Sequence, residues 1–120
     1  MVPVERVIMY VNQLKEATKQ PVTFCENYSP WLDKLAPLVD AVDFISIHTY
    51  PLWEYKTIDQ AIEYTKQNYY AVCEKYPNKL VVITEAGWAS TSNGQGIPVE
   101  HANPIFQKIY YKELSSWSKD

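Results

Sequence analysis

Glycine is scarce: three residues in 120, with no glycine-rich loop behind any apolar segment. A backbone cradle for a phosphate group is built from such a loop, so nucleotide binding has little support. Cysteine is scarcer still. Cys25 falls in a strand-like run and Cys73 in a helix-like one, and neither has a histidine or second cysteine at ligand spacing. Both read as structural thiols; no disulfide, metal or cofactor is expected, and the redox compartment stays open. Positive charge is limited too, with 11 Lys and Arg against 14 Asp and Glu, a net charge of −3 and no basic run. That balance argues against nucleic acid or an anionic membrane as partner. No stretch is long and apolar enough to span a bilayer, no signal-peptide pattern opens the chain, and no repeat or low-complexity linker interrupts it.

What is present is ordinary in bulk and unusual in detail. Hydrophobic residues make up 47% and charged residues 21%, and the length suits one small domain, residues 1–120, with one core. Ten Tyr and four Trp are many for this length; they serve either an aromatic core or a contact surface for sugar or protein.

Periodicity sets the organisation. Met1 to Glu5 reads as a start placed on an existing helix, which runs from Pro3 to Lys19 with Val4, Val7, Ile8, Val11 and Leu14 at helical spacing. Pro21 to Cys25 reads as a short strand finishing at Glu26-Asn27. A loop with Tyr28, Pro30 and Trp31 follows, then one or two helical turns over Leu32 to Val39. Asp43 to Pro51 is a second strand. Thr57 opens a long helix to about Tyr76, with Gln60 at capping-box spacing and an apolar stripe of Ile58, Ala61, Ile62, Thr65, Tyr69, Val72, Cys73 and Tyr76. The third strand is Leu80 to Glu85, a polar loop covers Ala89 to Pro98, and a last helix runs from about Asn103 to Trp117. Alternating helices and strands imply parallel strands joined by crossover helices. The expected class is α/β, part of a (β/α)8 barrel, since three strands cannot close one.

Two strand ends carry the chemistry. After Leu80-Val81-Val82-Ile83-Thr84 comes Glu85, then Gly87 and Trp88. The C-terminal ends of parallel strands are where such sheets display catalytic groups. A carboxylate beside a flat aromatic there suits stabilisation of positive charge on a sugar ring; the alternative is a glutamate that caps the next turn. In the second strand, Ile45 and Ile47 would face helices while Phe44, Ser46, His48 and Tyr50 share the other face, grading from apolar to polar. His48 and Tyr50 would then point into a pocket and hydrogen-bond hydroxyls or a carboxylate; the alternative for His48 is a satisfied core histidine.

The segments Thr23-Phe24-Cys25-Glu26, Val42 to Glu54 and Val82-Ile83-Thr84-Glu85-Ala86-Gly87-Trp88 together resemble glycoside hydrolase family 17. That family comprises β-1,3-glucanases and β-glucan transglucosylases on a (β/α)8 barrel, and the form with His48 and Trp53-Glu54 is closer to its bacterial branch than to the plant enzymes. The match, in order, corresponds to strands five to seven of the barrel.

The resemblance implies roles. Glu85 matches the catalytic nucleophile at the end of strand seven, which forms a glycosyl-enzyme intermediate in a retaining mechanism. Glu26, His48, Tyr50, Trp53 and Glu54 match substrate-binding positions, and Trp88 either supports Glu85 or stacks on a sugar. Trp31 is a weaker candidate that packs under its loop, and Trp117 reads as core. The family's acid/base glutamate, in an N-E motif at the end of strand four, has no counterpart here, so weak or no activity is expected of this chain alone. A β-glucan oligosaccharide is the implied partner, and parents of this kind act outside the cytoplasm. The competing readings are a non-catalytic glucan-binding module and a purely structural partial barrel. Three parallel strands leave two open edges and an inner face carrying Val22, Phe24, Phe44, Ser46, Val81 and Ile83 or their neighbours, from which a homo-oligomer is expected.

Overall fold

A computed structural model describes residues 2–119; Met1, read above as part of the helix start, lies outside them. The elements are α1 (Val4–Ala17), β1 (Cys25–Asn27), α2 (Tyr28–Leu32), β2 (Ile45–Thr49), α3 (Ile58–Lys75), β3 (Val81–Ala86) and α4 (Pro104–Trp117). Short 3-10 turns occupy Ala36–Leu38, Pro51–Glu54 and Val99–His101. The three strands form one parallel sheet in the order β1-β2-β3, with β1 on β2 in the register Cys25↔Ser46, Glu26↔Ile47 and Asn27↔His48. By compactness the chain divides into two units, Met1–His48 with Asn68–Glu85 and Thr49–Gln67 with Ala86–Asp120.

The first unit is built on β2. Ile45, Ser46 and Ile47 are fully buried, so both faces of the strand are covered, as parallel strands require. Val7 and Val11 of α1, Val72 of α3 and Val81 of β3 join Ile45 and Ile47 in one core with Trp31. Trp31 is fully buried, its indole N–H donates to the Ser46 carbonyl at 3.0 Å, and its own carbonyl accepts from the Tyr76 hydroxyl at 2.5 Å. Phe24 meets its ring edge-on, with 6.4 Å between centroids. Trp31 sits on a short helix where a loop was expected. Pro30 suggested the loop, but it occupies the first helical turn, where a missing N–H breaks no bond.

Strand β1 begins three residues later than read. Pro21 has no N–H, and the chain beyond it is tied down by side chains: the Val22 amide donates to Asp43 Oδ2 at 2.7 Å, and the Thr23 hydroxyl to the Phe44 carbonyl at 2.6 Å. The Asp43 amide returns a bond to the Val22 carbonyl at 2.8 Å.

The inner face of the sheet also differs from the reading. Val22 and Val81 lie in the helix-side core, with Phe24 and Ile83 packed against it. The register explains the shift for β1: Glu26 pairs with Ile47, which puts Phe24 in phase with Ile45 and Ile47. The opposite face carries small polar groups instead. The Thr23 hydroxyl donates to Ser46 Oγ at 3.1 Å, and the Thr84 hydroxyl lies 4.0 Å from Cys25 Sγ. An apolar inner face available for self-association is therefore not present.

The second unit packs Leu52, Ala61, Trp88, Ile97, Ala102 and Tyr110 together. Helix α3 starts where the spacing predicted, with the Thr57 amide donating to Gln60 Oε1 at 3.0 Å. Within this unit Thr65 bonds the Ala61 carbonyl at 3.0 Å and shares a 2.6 Å hydrogen bond with Tyr110 Oη, satisfying two buried hydroxyls. The α4 start is capped by Asn103, whose side chain accepts from the Phe106 amide at 2.9 Å. Trp117, read as core, is only half-buried and lines a shallow hollow with Ile62 and Lys66, because it falls on the last turn of α4.

Asp43 gives this fold an acid-side sensitivity. The Val22 amide, and then Lys15 at 3.1 Å, hold its carboxyl below the usual carboxylate range. A carboxyl with a lowered folded pKa stabilises the fold above about pH 4 and loses that contribution as pH falls through the folded value. The melting-temperature advantage of the parent over Asp43→Asn, present at neutral pH, should close on titration below about pH 3; an advantage independent of pH contradicts the assignment.

Candidate active site

His48 and Glu85 are both next to last in their strands. Below His48 the strand is fully buried, and at His48 it begins to open, its side chain retaining 17% exposure. Glu85 retains 55%, so its carboxylate faces solvent. His48 Nδ1 lies 3.6 Å from Glu85 Oε2, beyond a direct hydrogen bond and within ion-pair reach of a protonated imidazole. The other ring nitrogen, Nε2, is withdrawn from solvent. The strand ends thus hold an accessible carboxylate beside one edge of a half-buried imidazole. Such a carboxylate can approach an electrophilic carbon, while the imidazole limits where it points.

Glu26 does not join them. Residues paired in a parallel ladder share a face, so Glu26 goes with Ile47, opposite to His48. Its Oε1 accepts from the Asn27 amide at 2.8 Å, and it lines an open groove of about 400 Å³ with Val7, Val11 and Phe24. Asn27 is the residue that shares the His48 face. Sequence reasoning missed it; counting the phase back from Ser46 through the ladder is the signal that finds it.

The other predicted positions belong to the second unit. Tyr50 lays its ring against the Gly87 backbone, 3.8 Å from where a side chain would begin. Trp53 and Glu54 are exposed on the turn Pro51–Glu54, whose Pro51 and Leu52 are buried beneath them. Trp88 is only 4% exposed. Its indole N–H donates to the His101 carbonyl at 2.9 Å, its carbonyl accepts from Gln107 at 2.9 Å, and its ring meets Tyr110 with 6.2 Å between centroids. It is a fixed anchor for the segment that follows Glu85. Beside it lies an open cavity of about 460 Å³ lined by Gly87, Gln107, Lys108 and Tyr111. Among the described residues no His, Cys, Asp and Glu cluster could hold a metal ion, and no helix is long and apolar enough to cross a membrane.

The sequence profile of the BtgE/BtgC glycoside hydrolase domain matches residues 2–120. The chain belongs to that family. Solved structures agree on the fold. An endo-laminarinase from Formosa Hel1_33_131 superposes with a TM-score of 0.84 at 21% identity, over 98% of this chain and 41% of its own. A glycoside hydrolase family 17 β-1,3-glucanosyltransferase from Rhizomucor miehei gives 0.74 at 25% identity, over 89% of this chain and 40% of its own. An active-site mutant of the Rhizomucor enzyme, in complex with laminaritriose, gives 0.82 at 24% identity, over 97% and 43%. The chain therefore spans about two-fifths of the structures it matches, as a partial barrel. No curated protein matches it by sequence.

The two kinds of residue at this site should separate on mutation. Trp88→Ala empties a buried position and should cost about 3–5 kcal/mol in denaturant unfolding. Glu85→Gln touches an exposed carboxylate and should stay within about 0.5 kcal/mol. A large loss for Glu85→Gln would make Glu85 a structural residue.

Proposed function

We propose that the chain is the nucleophile-bearing part of a retaining glycoside hydrolase acting on β-1,3-glucan, with Glu85 as the nucleophile. The observation that carries this is the accessible Glu85 carboxylate at the end of β3, held 3.6 Å from the His48 imidazole. Family membership supports glycosidic chemistry, and the similarity to a laminarinase and to an enzyme solved with laminaritriose supports β-1,3-glucan.

In this mechanism a Glu85 oxygen attacks the anomeric carbon as the glycosidic C–O bond breaks, giving a glycosyl ester on Glu85. The leaving oxygen takes a proton from a general acid. Water or a sugar hydroxyl then attacks the same carbon and releases the carboxylate, with net retention. His48 orients the carboxylate, and Trp88 holds the segment behind it. Trp53, Glu54 and Tyr50 contact the glucan. Glu26, on the other sheet face, takes no part in the bond-breaking step. The family resemblance assigns the proton donor to a strand-four position outside these residues, and a missing general acid costs roughly 10²–10⁴ in rate.

A β-laminaribiosyl fluoride substrate bypasses that gap, because fluoride departs without a proton. The chain should release fluoride from it, and Glu85→Gln should lower the rate roughly a thousandfold or more. Equal release by the variant contradicts the assignment, and saturable binding with no release at all favours a glucan-binding module.

Self-association, expected from the open sheet, moves in this reading to the β1 edge. There α1 leaves Tyr10 and Leu14 half-exposed along the groove that Glu26 lines. A second copy on that edge gives a dimer in sedimentation at micromolar concentration, and a monomer contradicts it.

A further inference from the structure

Among the described residues, Tyr55 is the one non-glycine residue with a positive φ, at φ 58° and ψ 29°. Left-handed backbone is unfavourable for a bulky L-residue, and glycine or asparagine normally takes such a position after a helical turn. The turn itself is well fixed: the Tyr55 amide donates to the Leu52 carbonyl at 3.1 Å, and the Lys56 amide to the Pro51 carbonyl at 3.0 Å. Burial does not repay the strain, because Tyr55 is 70% exposed. An aromatic residue is thus held in a costly conformation with most of its ring in water.

Two neighbours give the position a chemical meaning. Trp53, 40% exposed, and the exposed Glu54 precede it on the same turn, so the order outward from buried Leu52 is aromatic, carboxylate, aromatic. On the far side, the loop after Trp88 brings Gly96 up to the Tyr55 ring: a side chain at 96 would begin 3.6 Å from the hydroxyl. Gly96 also has a positive φ, 84°, so a glycine is needed there as well. That loop is braced by the Ser92 hydroxyl, which donates to the Ile97 carbonyl at 2.8 Å and accepts from the Gly94 amide at 3.1 Å. The ring therefore has a defined place beside an ordered loop.

A β-linked glucose ring has its hydroxyls equatorial and its C–H bonds axial, so each flat face is weakly positive and apolar. It complements the negative face of an aromatic ring, while the rim hydroxyls suit a carboxylate. We infer that Tyr55 is a sugar-stacking platform that, with Trp53 and Glu54, binds a glucosyl unit of a β-linked glucan. The inference rests on the glucan reading above and adds to it a specificity residue that neither sequence motif nor family resemblance supplied.

The strain gives the test its signature, because stability and binding should move in opposite directions. Tyr55→Gly removes the ring and relieves the backbone; the melting temperature should hold or rise by about 2–5 °C. The dissociation constant for laminarihexaose, by calorimetry, should rise about fivefold to tenfold. Tyr55→Phe keeps the ring and should bind within about twofold of the parent. A parent that binds laminarihexaose and a Tyr55→Gly variant that binds it equally well overturn the platform and leave the glucan reading standing. A parent that binds no laminari-oligosaccharide overturns the glucan reading, and the platform with it.

Discussion

Strand β2 has to hide two faces at once, and the first unit is arranged around that requirement. Ile45 and Ile47 are covered by the core that α1, α3 and Trp31 complete, while Ser46 on the opposite side is buried with its hydroxyl bonded to Thr23. Trp31 seals the strand twice, by volume and by donating its indole N–H to the Ser46 carbonyl. Full burial of the lower strand leaves its upper end as the place where a polar side chain reaches solvent without an unpaired buried group beneath it. His48 stands at that point, and Glu85 stands at the matching point of β3. The site follows from how the sheet is buried.

The same logic explains why this fold can display a carboxylate that it does not need for stability. Glu85 is more than half exposed, and the packing work next to it is done by Trp88, which is nearly buried and tied by hydrogen bonds at both its indole and its carbonyl. Chemistry and anchoring are divided between residues three apart in sequence. A similar division appears on the turn after β2, where Pro51 and Leu52 anchor while Trp53, Glu54 and Tyr55 are presented. Local rigidity is what lets exposed groups hold a geometry.

Much of this was legible in the residues. The β-branched run before Glu85, the alternation through Ile45 to Tyr50, the Thr57–Gln60 spacing and the Asn103-Pro104 helix start each named an element that the structure contains. The motifs around His48 and Glu85 pointed to the family. What stayed hidden depended on partners distant in sequence. The short β1 reflects Asp43 competing for the Val22 amide across 21 residues. The face taken by Phe24 and Glu26 was set by register on β2, which a three-residue strand does not reveal. Asn68, buried on α3, looked like a solvent-facing polar residue until its surroundings were known. The left-handed backbone at Tyr55 had no sequence mark, since tyrosine rarely adopts it.

The central claim, that Glu85 forms the covalent bond to sugar, is tested most directly by trapping that bond. A 2-deoxy-2-fluoro-β-laminaribiosyl fluoride has a leaving group that needs no acid, and its C2 fluorine slows release of the ester. Mass spectrometry of the treated protein should show one fluoroglycosyl unit on the peptide that contains Glu85, and none on Glu85→Gln. A label on another carboxylate such as Glu26 or Glu54, or no label on the parent chain, would contradict the account.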